Sequence, residues 1–407
     1  MKADTNPADR GEAIASMEPL LIGNGSHHRA ALTDLALDLA QKSAGFRRSL
    51  PSSLMTSLAG LVRSMNCYYS NLIEGHDTHP VDIERALKND YSQDARKRDL
   101  QLEAKAHIAV QQWIDGGGLK GGRAIQAEGI CEIHRRFCEL LPEDLLWVAD
   151  PATQKKVRLA PGKLRKRDVR VGHHVAISPG AVPRFLQRFA QVYGNAGKTE
   201  SIISTAAAHH RLVWIHPFMD GNGRVARLMS HAMMLDTLDT GAVWSVARGL
   251  ARRVQEYKRL LSNCDLPRRN DPDRRGALSE GALAEFTHFF LSVCIDQVDF
   301  MDSLIQPDRL HARILLWAEE EIRLGQLPAR SGGILEAVLY RGELPRGDAD
   351  AIAGTGERQA RRIVSALLEK EVLTSQGPRA PLRLAFPAAL ATRWMPGLFP
   401  EAPPTAR

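Results

Sequence analysis

The chain has 407 residues, 44% of them hydrophobic and 25% charged, with a formal net charge of +7. That is the profile of an ordinary soluble globular protein with room for a large core and an added domain. No apolar run approaches the roughly 20 residues that span a bilayer, which excludes a membrane reading. Cys67, Cys131, Cys138, Cys264 and Cys294 form no C-x-x-C pair and nothing at the N-terminus resembles a signal peptide, so a reducing, cytoplasmic setting is expected.

Residues 1–16 lack periodicity and are read as a disordered tail. From Ala31 to about Lys88 the apolar spacing is helical, broken at Ser49 to Ser52. In the second helix Leu58, Leu61, Val62, Met65, Tyr69, Leu72 and Ile73 recur at helical spacing and Gly75 stops the run. Glu74 sits just before that stop, opposite the apolar stripe, where the helix-terminal carbonyls mildly repel a carboxylate. Taken alone, it reads as a solvated surface residue.

Helical patterns resume at Leu100–Ile114, break at "DGGGLKGG", and return at Ala127–Leu141 and Pro183–Tyr193. Between the last two, Val169, Val171, Val175 and Ile177 alternate between turn residues and predict one β-hairpin. Further helices are expected over Ser201–Ile215, Arg224–Leu238, Leu250–Ser262 and Ala282–Leu304. One more helical stretch leads to "PARSGG", a boundary. Three short helical patterns and the two-stranded segment "TSQGPRAPLRLAF" follow, an order that resembles a winged helix-turn-helix. On its third helix Arg358, Arg361 and Arg362 lie opposite Ala360, Ile363, Val364, Leu367 and Leu368, as on a recognition helix. Arg379 and Arg383 fall in or beside the wing. The expected fold is therefore mainly α with one β-hairpin, divided into a tail (1–16), an N-terminal helical region (17–96), a core (97–304), a helical linker (305–327) and a winged helix-turn-helix (328–400).

The chemistry concentrates in "HPFMDGNGRVAR", His216 to Arg227. Pro217 biases His216 away from helical dihedrals, placing the imidazole on a loop. Gly221-Asn222-Gly223 then forms a turn whose N–H groups converge at the start of a new helix, an anion site. Arg224 and Arg227 occupy the first turn, where the helix dipole disfavours cations, so a bridging anion is implied. Asp220 suits a Mg²⁺ that takes one or two carboxylates plus phosphate oxygens, and His216 becomes a general base beside a bound phosphate. Competing motifs fall away. "GNGRVA" follows a helix where a dinucleotide fingerprint needs a strand, "GNAGKT" lacks the first P-loop glycine, and neither His173-His174 nor His209-His210 has a metal-ligand pattern.

These twelve residues match the signature H-P-F-x-[D/E]-G-N-G-R-x-x-R, and the chain resembles the Fic family over residues 20–300. The resemblance implies a mostly helical Fic-fold bundle that transfers AMP from ATP to a Tyr, Ser or Thr hydroxyl of a target protein and releases pyrophosphate. By that resemblance His216 deprotonates the hydroxyl and Asp220 holds Mg²⁺ on the α- and β-phosphates. Gly221, Asn222 and Gly223 cradle the phosphates, while Arg224 and Arg227 bind their β/γ end. Family kinases carry lysine where Gly223 stands, which favours adenylylation here. The segment around Arg165, Val169 and Val171 resembles the family's target-docking flap, which adds a substrate strand to its edge. Tyr257 lies where relatives place a Tyr-Tyr pair beside adenine, although the second position is Lys258, and a buried core tyrosine is the equal alternative.

Ser70-Asn71-Leu72-Ile73-Glu74-Gly75 fits the [S/T]-x-x-x-E-[G/N] motif of Fic enzymes with an N-terminal inhibitory helix. The resemblance implies that Glu74 pairs with Arg227, takes the γ-phosphate's place and leaves ATP askew. The partners expected are a protein target, DNA or alternatively another protein at the C-terminal module, and a second copy of the chain as a homodimer, with no membrane. An alternative is a DNA-binding regulator in which the Fic fold senses nucleotide without turnover.

Overall fold

The structure is a computed structural model that describes residues 8–149, 155–269, 273 and 276–400. Two long helices begin the bundle: α1 (Arg29–Arg48) and α2 (Ser52–Ile73). The short α3 (Pro80–Leu87) and then α4 (Ala95–Trp113) follow, the latter capped by Asp94, which accepts from the Lys97 N–H. A π-helical turn at Ile114–Gly118 absorbs the glycine run, and α5 (Ala127–Glu139) returns. After the hairpins come α6 (Val182–Tyr193), α7 (Lys198–Ile215) and α8 (Asn222–Leu238). The helices α9 (Ala247–Arg252), α10 (Val254–Asn263) and the 26-residue α11 (Glu280–Ile305) complete the bundle.

At the centre α7 packs along α8, and both are buried on nearly every face. That burial explains their weak amphipathic signal, since a helix covered all round has no polar side to display. Around this pair α1 lies on α11 and α2 lies on α4 and α9. The end of α2 is thereby delivered to the start of α8.

Two hairpins lie between α5 and α6, where the sequence predicts one. Strands β1 (Trp147–Ala149) and β2 (Lys156–Arg158) pair antiparallel, Val148 opposite Val157. Each is three residues long among charged neighbours, too short to display a period of two. The expected hairpin is smaller than its alternation suggests: β3 (Arg170–Val171) and β4 (His174–Val175) pair over two residues each, while Val169 and Ile177 turn into the core.

Residues 8–16, expected to be disordered, are tied down instead, and residues 1–7 lie outside the described residues. Asp9 pairs with Arg184, Arg10 with Asp168, and the Glu12 carboxylate accepts from the Ser178 N–H and hydroxyl. These are polar contacts between distant segments, which no local periodicity reveals.

Beyond α12 (Pro307–Arg323), helix α13 (Ser331–Arg341) is followed by β5 (Glu343–Leu344), α14 (Ala349–Ala353), α15 (Glu357–Glu369), β6 (Leu373–Thr374) and β7 (Leu382–Leu384). The strands form one antiparallel sheet in the order β5-β7-β6. The short α16 (Ala391–Trp394) then turns the chain back onto the bundle. Tyr69 on α2 donates its hydroxyl to the Leu398 carbonyl at 3.0 Å, and the Tyr68 ring meets Phe399 edge-on at 5.7 Å. One apolar core runs from Met17 to Phe399. No described helix is long and apolar enough to cross a membrane.

Candidate active site

The loop between α7 and α8 is an unfavourable conformation held by its surroundings. His216 has φ 53°, ψ 62°, a left-handed geometry that costs a non-glycine residue about 1–2 kcal/mol. Arg165 offsets it. Its backbone N–H donates to the Pro217 carbonyl at 2.9 Å, and its guanidinium donates to the carbonyls of His216 (2.7 Å), Ile177 (2.5 Å) and Arg167 (2.9 Å). Beneath the loop the Phe218 ring stacks flat on His134 at 3.9 Å. His134 accepts from the Gly162 N–H at Nδ1, so its proton lies on Nε2, which turns to the backbone of Asp220.

His216 approaches the Val213 carbonyl with Nδ1 at 3.2 Å, so Nδ1 carries the proton and Nε2 keeps a free lone pair. Burial, the nearby Arg165 and His174 lower its pKa to about 4. The imidazole is therefore neutral at pH 7, the form a general base needs.

Gly221 opens α8 in a left-handed conformation, φ 81°. Gly223 leaves room for a carboxylate: a Cβ there would lie 2.7 Å from Glu74 Oε1, so Glu74 would have to shift. The carboxylate of Glu74 thus covers the nest itself. It accepts from Arg227 Nη2 at 2.5 Å, while Arg227 also donates from Nε to the Ser70 hydroxyl at 2.8 Å and from Nη2 to the Ser70 carbonyl at 3.2 Å. Burial raises the Glu74 pKa, but Arg227, helped by Arg224 and Lys258, outweighs it and the net shift is downward. Gly75 adopts φ 88° so that the His76 N–H can close the end of α2 on the Asn71 carbonyl at 2.9 Å.

Arg224 donates from Nη1 to Glu103 at 2.7 Å, and its Nη2 reaches Asp220 at 3.5 Å. The Asp220 carboxylate is half exposed. Among the described residues no group of three or more His, Cys, Asp or Glu could hold a metal on its own. One accessible carboxylate beside an anion nest still fits a Mg²⁺ completed by phosphate oxygens and water.

The structure bears on four sequence assignments. Arg165 is 2% exposed with its donors on backbone carbonyls, so it shapes the loop and offers nothing to a docking target. Val169 is buried as well, leaving Val171 and Val175 as the accessible apolar residues of that hairpin. Asn222 accepts from the Phe218 N–H at 3.0 Å and donates to its carbonyl at 2.9 Å, so both ends of its amide staple the loop. Tyr257 is buried among core aromatics rather than lining an adenine pocket. Ser230 donates to the Ala226 carbonyl, so His209 donates to Ser230 and Tyr257 donates to His209, with the phenol oxygen facing Arg227.

Glu103, His76 and His134 complete the site without having been expected. A signal existed for the first: Glu103, His107 and Gln111 form a polar stripe at i, i+4 and i+8 among alanines, on the side of α4 that is buried.

Residues 124–234 match the Fic/DOC family. The protein adenylyltransferase Fic of Culex quinquefasciatus is 28% identical over 198 residues, 46% of this chain and 36% of the relative. That of Drosophila grimshawi is 30% identical over 171 residues, 41% of this chain and 32% of the relative. The chain thus spans about a third of the length of these curated relatives. Among solved structures, a Fic family protein from Desulfovibrio desulfuricans aligns with TM-score 0.53 at 16% identity, covering 90% of this chain and 98% of its own. Fic-1 from C. elegans aligns with TM-score 0.52 at 18% identity, covering 68% and 73%. The mainly helical bundle therefore has the fold of Fic proteins, and the loop from His216 to Arg227 lies within the stretch that matches the Fic/DOC family.

Proposed function

We propose that this protein is an adenylyltransferase that moves AMP from ATP to a Tyr, Ser or Thr hydroxyl of a protein target or of itself, and that Glu74 holds it inactive. The observation that carries the reading is the position of the Glu74 carboxylate, bonded to Arg227 and lying over the Gly223 end of the α8 nest. With Glu74 withdrawn, the nest and both arginines face a triphosphate. His216 Nε2 takes the proton of the attacking hydroxyl, the new oxygen–phosphorus bond forms at the α-phosphate, and the bond to the β-phosphate breaks to release pyrophosphate. Asp220 would hold a Mg²⁺, which offsets phosphate charge when bound. The hairpin edge at Val171 and Val175 presents exposed apolar side chains for strand addition by the target.

The test is incubation of the wild type, Glu74→Gly and Glu74→Gly/His216→Ala with ATP labelled at the α-phosphate. Label transferred by the single variant and abolished in the double one is the expected result. Absence of label from every form despite tight ATP binding would favour the nucleotide-sensing regulator.

That second reading draws on the C-terminal unit, which we take as a winged helix: its helix, strand, helix, helix, strand, strand order supports this. Arg358, Arg361 and Arg362 are exposed on α15, and DNA is the partner such a face suits. A salt-dependent mobility shift of labelled duplex by the full chain, lost in Arg358→Ala/Arg362→Ala, tests it.

A further inference from the structure

Both arginines of the nest are met by acids, but from different helices. Arg227 meets Glu74 at the end of α2, whereas Arg224 meets Glu103 from the middle of α4. The second pair is the more enclosed, with side chains 9% and 11% exposed. Glu103 has a further partner, because its Oε2 accepts from His76 Nδ1 at 2.7 Å. His76 stands two residues beyond Glu74, so one turn, residues 74–76, reaches both arginines, directly at Arg227 and through Glu103 at Arg224. The rest of the Arg224 guanidinium has hydrogen-bonding capacity to spare: Nε is buried without a partner, and Nη2 touches Asp220 only at 3.5 Å. The Phe137 ring lies 4.7 Å from it and fixes its plane.

We propose that Glu103 is a positioning residue that aims Arg224 at the triphosphate, and that a proton shared between His76 and Glu103 sets how much of Arg224's charge is available to it. The inference rests on the adenylyltransferase reading and gives its phosphate end a control separate from Glu74. With His76 protonated, the Arg224–Glu103–His76 set carries one net positive charge. With His76 neutral, Glu103 cancels Arg224 and the set carries none. The charged groups facing His76 are Glu103 on α4, Arg224 on α8 and Glu74 on its own turn. The hydrogen bond to Glu103 raises the His76 pKa, burial and Arg224 oppose it, Glu74 adds to it, and the balance is upward. The proton is therefore held above the ordinary histidine range, and nucleotide affinity falls as pH rises through the raised value.

The experiment measures the ATP dissociation constant of Glu74→Gly between about pH 6 and pH 9, beside Glu74→Gly/His76→Gln, so that the titration of ATP cancels in the ratio. The expected result is an additional loss of about five- to tenfold in affinity at the alkaline end for the form with His76. In the same background Glu103→Gln keeps an acceptor for Arg224 and retains turnover, whereas Glu103→Ala lowers kcat and lowers Tm as well, since Arg224 is left buried without its partner. The wild type offers a readout without nucleotide: the His76 pKa followed by NMR should return toward its ordinary value in Glu103→Gln. Parallel pH curves with and without His76, or a His76 pKa unmoved by Glu103→Gln, would overturn the inference while leaving the adenylyltransferase reading intact. Failure of every Glu74→Gly form to bind ATP would overturn that reading and this inference together.

Discussion

Glu74 Oε1 lies 2.5 Å from Arg227 Nη2 across 153 residues of chain, and each partner is badly placed for its own helix. The carboxylate sits at the negative end of α2 and the guanidinium at the positive end of α8, so each dipole opposes the charge it carries. Joined, they satisfy each other at the place the proposed mechanism gives to a nucleotide's terminal phosphate. Replacing Glu74 with Gly should raise target labelling by about tenfold or more, since the buried arginine is then free to take phosphate charge. Acid is not an alternative key. The Glu74 pKa is lowered, so the pair is intact above the ordinary glutamate range and is lost only as pH falls through the depressed value. Basal labelling by the wild type should therefore stay low from about pH 6 to pH 8.

Ser70 supports the same lock from one turn back, since it supplies both hydroxyl and carbonyl to Arg227. Ser70→Ala removes the hydroxyl acceptor, leaves Nε buried without a partner, and should cost about 1–2 kcal/mol. The expected phenotype is graded: labelling above the wild type and below Glu74→Gly, with a lower Tm. Labelling equal to the wild type would mean that Glu74 alone fixes Arg227.

His216 as the proposed general base predicts a pH profile. Its pKa is pulled to about 4, chiefly by burial, so it is already neutral throughout the physiological range. For Glu74→Gly, kcat should show no acid limb between about pH 6 and pH 8 and should fall only as pH approaches the lowered value. An acid limb in kcat near the ordinary histidine pKa would place His216 in a wetter environment than the loop provides.

How much of this was legible in the chain depended on whether the signal was local. The stretch from His216 to Arg227 is contiguous, so residue type and spacing disclosed the loop, the nest and the cations together. Glu74 was found by its misfit with its own helix, which demanded a distant cation. Glu103 carried the same kind of misfit, a charge on the buried side of α4, but a reading tuned to apolar periodicity passed over a polar stripe. Arg165 failed differently: within "LRKRDVR" nothing marks which basic residue turns inward, because that is decided by carbonyls of the loop 50 residues away. Tyr257 occupies a position that suits a core or a pocket equally, and the His209–Ser230 chain that chose the core comes from α7 and α8.

The Arg165 correction has a direct consequence. Arg165→Ala leaves the carbonyls of His216, Ile177 and Arg167 without their donor and should cost about 3–5 kcal/mol, with turnover lost as the left-handed His216 relaxes. Val171→Asp, on the exposed edge, should leave Tm unchanged and raise the KM for the protein target alone. A docking role for Arg165 would instead show as a KM effect at constant Tm.

The segment 397–399 packs on α2, the helix that carries Glu74. Phe399 and Leu398 meet Tyr68 and Tyr69 on α2, and Arg248 donates to the Gly397 carbonyl at 2.8 Å. On the neighbouring α3, Glu84 accepts from the Ala388 N–H at 2.8 Å and Lys88 pairs with Glu371. Trp394, 1% exposed and edge-on to Trp317, anchors the segment. Trp394→Ala should cost about 3–5 kcal/mol through the cavity it leaves. Phe399→Ala is the milder and more telling change, because it strips one face of α2 while leaving α16 in place. Since Glu74 terminates α2, looser packing along that helix raises the fraction of time its carboxylate spends away from Arg227. Phe399→Ala should therefore raise basal labelling above the wild type, and Glu74→Gly/Phe399→Ala should label no faster than Glu74→Gly. Additive gains in the double variant would show that the C-terminal segment acts on the site by a route other than α2.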